Sequence, residues 1–258
     1  MIFPKVNVII LNHNGKDFTD VCLSSLLMIT DYPKEKMIIS VVDNGSTDDS
    51  LSYLQKKYYY DVNFIALKNN IGYIRGNNLA IENALLNDYD YVMLLNNDTE
   101  VIESDWMKKL VVTAESDPSI GIIGPMLIFP NGSIQWSGRA KEKNSILLIL
   151  QTVTARLNDG FSELATVSSS RNFIGEVNTI SGACMLIKTE LLKKIGALDT
   201  ALVPMYQEDV EISYRAQRFH YKIFYRGDVQ LVHIEGSSTM TNSSIRDREL
   251  KYFWAVRN

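Results

Sequence analysis

Short apolar runs rich in Val, Ile and Leu alternate, over the first hundred positions, with longer stretches whose apolar residues recur every three or four places. Val6-Asn7-Val8-Ile9-Ile10-Leu11 is the first run, stopped by Asn12-His13-Asn14-Gly15. From Asp17 to Ile29, Phe18, Val21, Cys22, Ser25 and Leu26 fall at helical spacing, and Pro33 closes the segment. Met37 to Val42 predicts a second strand that ends at Asp43-Asn44-Gly45-Ser46-Thr47-Asp48. Ser46 or Thr47 is expected to cap the next helix, with Asp48 and Asp49 in its first turn and an end near Lys57. Val62 to Leu67 predicts a third strand, followed by Asn69-Asn70-Ile71-Gly72 and a helix from about Ile74 to Leu86. Tyr91 to Leu95 predicts a fourth strand. Strand–helix alternation at this pace means βαβ units and a largely parallel sheet.

Beyond residue 100 the pattern loosens. Ser104-Asp105-Trp106 opens a helix to about Ala114, and Ile120 to Pro125 resumes a strand pattern. Asn131-Gly132 and Asn158-Asp159-Gly160 mark turns, and Ser145 to Leu157 has the apolar mass of a short helix. Val177 to Ile187 reads as one strand, and Glu208 to Arg218 as an amphipathic helix using Val210, Ile212, Tyr214 and Ala216. Tyr221 to Tyr225 and Val229 to His233 read as a pair of short strands, and Arg246 to Asn258 has helical composition. With no repeat or clear linker, residues 1–258 are expected to form one unit, a nucleotide-type half to about residue 100 and an acceptor-type half beyond it.

Composition narrows the function classes. A chain of 258 residues with 46% hydrophobic and 22% charged residues is ordinary for a globular protein, and its net charge of −4 argues against a general nucleic-acid binder. Cys22 and Cys184 lie far apart in apolar surroundings, so buried thiols are expected rather than a disulfide framework or zinc site. The run from Val6 to Leu11 is too short for a signal peptide or a membrane span, which points to the cytoplasm.

Four polar clusters each follow an apolar strand: Asn12-His13-Asn14, Asp43 to Asp48, Asn69 to Gly72, and Asn96-Asn97-Asp98. Parallel strands place their carboxyl ends on one rim, where ligands of open α/β sheets bind. Oxygen ligands such as that of Asp98 suit a hard divalent cation. Asp43 can accept hydrogen bonds from a base or ribose, and Gly45 and Gly72 permit either close ligand approach or tight turns. Neither GxGxxG nor GxxxxGK[ST] occurs, so a bound nucleotide would need a metal and side chains to neutralise its phosphates. Glu208-Asp209 at a helix start has two readings, a chemical one and acids matched to the helix dipole; His233 could equally be a satisfied histidine at a strand end.

In order along the chain, Val41 to Asp48, Asn70-Ile71-Gly72-Tyr73-Ile74-Arg75-Gly76-Asn77-Asn78, Leu94 to Thr99, Ser181 to Ile187, Glu208 to Arg215, His233 and Arg257-Asn258 form a set that resembles the inverting glycosyltransferases of family 2, especially the rhamnosyltransferase-like branch. The resemblance covers almost the whole chain. It implies an α/β GT-A fold: a Rossmann-like nucleotide-binding half and a mostly parallel central sheet with helices on both faces, merged with an acceptor-binding half. It also implies a donor site of Asn12, Asp43, Gly72, Asn77, Asn96, Asn97 and Asp98, a magnesium or manganese ion on Asp98 and His233, and Asp209 as general base supported by Glu208. Asn96 departs from the family pattern, replacing the first carboxylate of the DxD position, and Arg75 stands where a small or apolar residue is usual.

By the same resemblance the donor is a nucleotide-diphosphate sugar, dTDP-L-rhamnose before a UDP-hexose. The acceptor is a growing cell-surface glycan, free or lipid-linked, with a peripheral contact at the inner face of the cytoplasmic membrane. Two rivals compete with this reading. A nucleotidyltransferase would want a basic glycine-rich loop that Asn12 to Lys16 does not supply, and a non-catalytic nucleotide-sugar-binding scaffold would have no need to keep Asp98, Asp209 and His233 together.

Overall fold

Strand β1 (Val6–Asn12) shows how the hydrophobic pattern becomes architecture. Val6, Val8 and Ile10 face one side and pack with Cys22, Leu26 and Leu54; Ile9 faces the other and packs with Ile74 and Ile81. Both faces of the strand are therefore buried, which is what a near-continuous apolar run requires. The computed structural model describes residues 3–136, 173–203 and 207–234. The helix expected over Ser145 to Leu157 and the tail from Arg246 to Asn258 lie outside the described residues.

The first half alternates as its sequence predicts: α1 (Lys16–Ile29), β2 (Met37–Asp43), α2 (Ser50–Lys57), β3 (Val62–Ala66), α3 (Tyr73–Leu86) and β4 (Tyr91–Leu95). These strands stand in the order β3-β2-β1-β4, all parallel. The second half contributes β5 (Thr99–Val101), α4 (Trp106–Ser116), β6 (Ile120–Ile128), β7 (Ile134–Trp136), β8 (Ile174–Val177), β9 (Cys184–Lys188), α5 (Thr189–Ile195), α6 (Glu208–Arg218) and β10 (Lys222–His233). Here the sheet becomes mixed: β9 enters antiparallel between β4 and β6, β10 runs parallel to β6, and β5 closes the row antiparallel to β10. One face carries α1, α2 and α4 through Leu23, Leu54, Trp106 and Leu110. The other carries α3, α5 and α6 through Ile81, Leu191 and Ile212.

Several local expectations are corrected. Ser46 and Thr47 do not cap α2, which starts at Ser50, because their hydroxyls are committed to Asp43 and Asn14. Val177 to Ile187 is not one strand. β8 pairs with β10 whereas β9 pairs with β4 and β6, so the chain turns between them, with Ser181 Oγ accepting from Ala183 N–H. The two short strands expected after Tyr221 are one strand, β10, with a register shift between Arg226 and Gln230 opposite Pro125 and Met126. Pro125 has no N–H to offer the ladder, which is where a bulge is tolerated. Along α6 the buried positions are Ile212, Ser213 and Ala216, and Tyr214 is exposed. Among the described residues, no helix is long and apolar enough to cross a membrane.

Candidate active site

The four polar clusters do lie at the carboxyl ends of β1 to β4, and hydrogen bonds join them. Asn12, fully buried, donates Nδ2 to Asp43 Oδ2 at 2.8 Å and accepts from Thr19 Oγ1 at 2.8 Å. Asp43 also accepts from Ser46 N–H at 2.9 Å and Ser46 Oγ at 2.6 Å. Thr19 accepts from Asn97 Nδ2 at 3.0 Å, so α1 links the β1 and β4 ends. Gly72, at φ +86°, precedes α3, and its carbonyl accepts from Asn44 Nδ2 at 3.3 Å. Asn77 is buried but turns its amide back onto the Tyr73 carbonyl, 3.0 Å away, within its own helix.

β5 and β10 complete the next part. Thr99 pairs with His233 in register, and the Asp98 carbonyl accepts from Ile234 N–H at 3.0 Å. His233 Nε2 then stands 3.2 Å from Asp98 Oδ1, with both side chains nearly buried. Its other nitrogen, Nδ1, lies 2.7 Å from Gln135 Oε1 on β7. An amide oxygen only accepts, so Nδ1 donates to it, and Nε2 is the ring nitrogen that faces the carboxylate. A carboxylate oxygen and a ring nitrogen at that separation suit neighbouring positions on an octahedral cation, where ligands at about 2.1 Å stand about 3.0 Å apart. Among the described residues no cluster of three or more His, Cys, Asp or Glu could hold a metal alone. A two-ligand protein site completed by substrate phosphate and water is the usual arrangement for magnesium. The residues present fit such an ion. Asn96 flanks them, its Nδ2 3.5 Å from His233 Nε2 and its Oδ1 accepting from the Tyr73 hydroxyl at 3.2 Å.

Asp209 reaches the same place from α6. Its Oδ2 accepts from Gly182 N–H at 3.1 Å, and the next carbonyl, of Ala183, accepts from Asn96 N–H at 2.9 Å. The 181–183 turn thus ties the first turn of α6 to the end of β4. Burial raises the Asp209 carboxyl above its ordinary value, against the lowering effect of the Gly182 and Val210 N–H groups. Burial also raises the Tyr73 hydroxyl, and the carboxylates of Glu208, Asp209 and Asp98 push it further. That shared influence brings the metal-side and α6 carboxylates into one electrostatic neighbourhood. Cys22 and Cys184 are free and buried beneath this turn, and burial pushes the Cys22 thiol up to about 12.

Sequence reading missed Thr19, Tyr73, Gln135 and Gly182 as parts of the site. Tyr73 and Gly182 lie within segments that carried the resemblance, whereas Gln135 sits in a short hairpin strand with no signal of its own.

Comparison with known proteins bears on the fold and the family. The O-antigen biosynthesis protein RfbC of Myxococcus xanthus is 25% identical over 244 residues, 91% of this chain but 18% of that protein. The N-acetylglucosaminyl-diphospho-decaprenol L-rhamnosyltransferase of Mycobacterium tuberculosis is 25% identical over 232 residues, 84% of this chain and 72% of that one. GalNAc-T7 with UDP, GalNAc and Mn2+ superposes at a TM-score of 0.67 with 17% identity, covering 90% of this chain and 44% of that one. The mannosyltransferase PcManGT from Pyrobaculum calidifontis, in complex with GDP-Man and Mn2+, superposes at 0.62 with 18% identity over 89% of this chain and 56% of that one. At such identities these likenesses show the GT-A fold alone. The model of glycosyl transferase family 2 matches residues 7–196, and the chain belongs to that family.

Proposed function

We propose that this chain is a divalent-cation-dependent, inverting glycosyltransferase that moves a sugar from a nucleotide-diphosphate donor to a hydroxyl of a growing cell-surface glycan. The observation that carries the reading is the turn at 181–183, which ties Asp209 and Asn96 together beside the Asp98–His233 pair. A carboxylate base and a cation-ready pair on one rim are what single displacement at an anomeric carbon requires.

Asp43 would hold the nucleoside. A carboxylate has about four acceptor positions, and Asn12 and Ser46 occupy three, leaving room for one N–H of a base or ribose hydroxyl. Asp98 and His233 would hold magnesium or manganese, with Asn96 and Asn97 beside the diphosphate. The ion, when bound, neutralises charge that develops on the departing diphosphate. Asp209 would accept the proton of the acceptor hydroxyl as its oxygen attacks, and its raised affinity for protons makes it a better base than an exposed aspartate. Gly182 and Val210 N–H groups hold the carboxylate in place for that transfer. Attack opposite the leaving group inverts the anomeric centre.

Relatives named for O-antigen biosynthesis, low-salt glycan biosynthesis and L-rhamnosyl transfer support a glycan acceptor, and dTDP-L-rhamnose is the donor we propose before a UDP-hexose. A lipid-linked acceptor would bring the protein to the cytoplasmic face of the membrane. The test is a thermal-shift screen of nucleotide sugars with and without Mn2+, on wild type and Asp98→Ala. Donor at about 100 times Kd adds about 2.7 kcal/mol, or about 5–10 °C in Tm. Metal-dependent stabilisation by one nucleotide series, lost in Asp98→Ala, is expected; no shift with any nucleotide would overturn the donor site.

A further inference from the structure

Two side chains that the proposed chemistry leaves unused bind the helix of Asp209 to the donor half. Asn78 on α3 grips Leu198 by both backbone groups: Leu198 N–H donates to Asn78 Oδ1 at 2.9 Å, and Nδ2 donates to the Leu198 carbonyl at 2.8 Å. Asn78 and Leu198 are both buried, so each bond is made out of water. Arg215 lies on α6, six residues and about 9 Å along the axis from Asp209. Its Nη1 donates to the Ile195 carbonyl at 2.6 Å, and its Nη2 to the Ala197 carbonyl at 2.7 Å. The same guanidinium forks onto Glu211, one turn earlier, with Nε at 2.9 Å and Nη2 at 2.7 Å. Glu211 stiffens the arginine, and the arginine holds the chain after α5.

The 195–198 loop is therefore clamped by α6 on one side and α3 on the other, within four residues. Each end of this connection reaches the site. α3 begins at Tyr73, whose hydroxyl donates to Asn96, and α6 begins at Glu208-Asp209. Gly182 N–H restrains the Asp209 carboxylate locally, but a single backbone donor does not set the axial position of a helix. Arg215 alone would be a cap for the exposed carbonyls at the end of α5. Asn78 on the adjacent residue, from a different helix, turns the cap into a tie between helices.

We propose that Arg215 and Asn78 are positioning residues that act through the 195–198 loop, holding Asp209 at its working separation from Asn96 and Asp98. The proposal rests on Asp209 being the base. Lysine at 215 keeps the charge beside Glu211 but cannot bridge two carbonyls and a carboxylate at once. Serine at 78 is too short to grip both groups of Leu198.

The test compares Arg215→Lys, Asn78→Ser and the double variant with wild type, at a temperature where circular dichroism shows each fully folded. Displacing a base by a fraction of an ångström to an ångström from outside the site costs about 10–100-fold in turnover. We expect kcat to fall by that factor, with donor KM and nucleotide Kd unchanged because Asp43 and Asp98 are untouched. The double variant should be no slower than the slower single, since both act on one loop. Unchanged kcat in folded variants, equal losses in kcat and donor affinity, or additive losses would each overturn the proposal. A second readout needs no turnover: the 13C-carboxyl titration of Asp209, which in wild type lies above the ordinary aspartate value and in Arg215→Lys should move toward it as water reaches the carboxylate. An unmoved titration in either folded variant overturns the tie. A wild-type protein that transfers nothing would sink the transferase reading instead, and this titration would still decide the tie.

Discussion

Replacing Asp43 by asparagine removes one charge at almost constant volume, and the surrounding donors dictate the outcome. Oδ2 accepts from Asn12 Nδ2 and Ser46 Oγ, and Oδ1 accepts from Ser46 N–H. An amide keeps one oxygen. With that oxygen at the Oδ2 position, its NH2 meets the Ser46 N–H. Turned round, its NH2 meets the Asn12 amide, although the Ser46 hydroxyl can rotate to accept. Either way one donor at a side chain only 2% exposed loses its acceptor, at a cost of about 1–3 kcal/mol. For a chain of this size that is about 2–12 °C in Tm. The second effect falls on the donor. A base N–H bonded to the remaining carboxylate position is a charge-assisted bond of about 1.5–3 kcal/mol, so its loss weakens binding about 10–150-fold. Uridine, thymidine and guanosine nucleotides carry such a ring N–H, whereas adenosine and cytidine nucleotides present a bare ring nitrogen. Thermal unfolding of the ligand-free variant reads the first effect. Calorimetric titration with UDP, dTDP, GDP, ADP and CDP in Mn2+ reads the second. An Asp43→Asn protein with wild-type Tm and undiminished affinity for the N–H nucleotides would refute both the donor count and the nucleoside assignment.

Asp209→Asn is expected to lower kcat by about 10²–10⁴-fold while leaving nucleotide affinity intact, measured by initial rates and calorimetry. Because burial raises the Asp209 carboxyl, wild-type kcat/KM should climb with pH through a midpoint above the ordinary aspartate value. The sign on stability is opposite: this group's contribution to folding is complete below its unfolded value and is lost as pH rises through the folded one. Gly45→Ala places a Cβ 2.4 Å from the Asn69 carbonyl carbon at a φ of +72°; urea unfolding should show a loss of more than about 2 kcal/mol, since the left-handed conformation alone costs about 1–2. Trp106→Ala empties a fully buried site and strands Thr30 Oγ1, which accepts from the indole at 2.9 Å; a loss of about 3–5 kcal/mol is expected by the same assay, with nucleotide binding retained below the new Tm.

The first half of the fold is legible because each element there answers to its own stretch of sequence. β4 is buried at every position, and its five apolar residues say so directly. α3 shows its buried face as Ile74, Ala80, Ile81 and Ala84. The second half is less legible for a physical reason: its strands pair with partners distant in sequence. β9 reads as a continuation of β8 until one knows that it slots between β4 and β6. β5 is three residues long and has no pattern to read, yet it carries Asp98 to His233 through the Thr99–His233 pairing. Within β10, Arg226 and Asp228 look like a break between two strands. They are instead a bulge whose charges satisfy each other, with Arg226 Nη1 on Thr113 as well.

The site divides along the same line. Asp43, Asp98, Asp209 and His233 are visible in the sequence because their side chains are what the proposed chemistry needs. What assembles them is largely backbone, and a backbone group leaves no residue-type signal. The Asn96 N–H bonded to Ala183 and the Gly182 N–H bonded to Asp209 could come from almost any residues. Even Gly182 leaves little trace: a Cβ there would lie 3.4 Å from the Asp209 Cβ and 3.6 Å from Glu208 Oε1, ordinary contact distances, so the position does not by itself demand glycine. Between Ser181 and Ala183, then, two distant segments meet through a backbone N–H that other residues could also supply. Gly182 looked like one more strand residue because strand periodicity registers side chains and is blind to the partners of a backbone N–H.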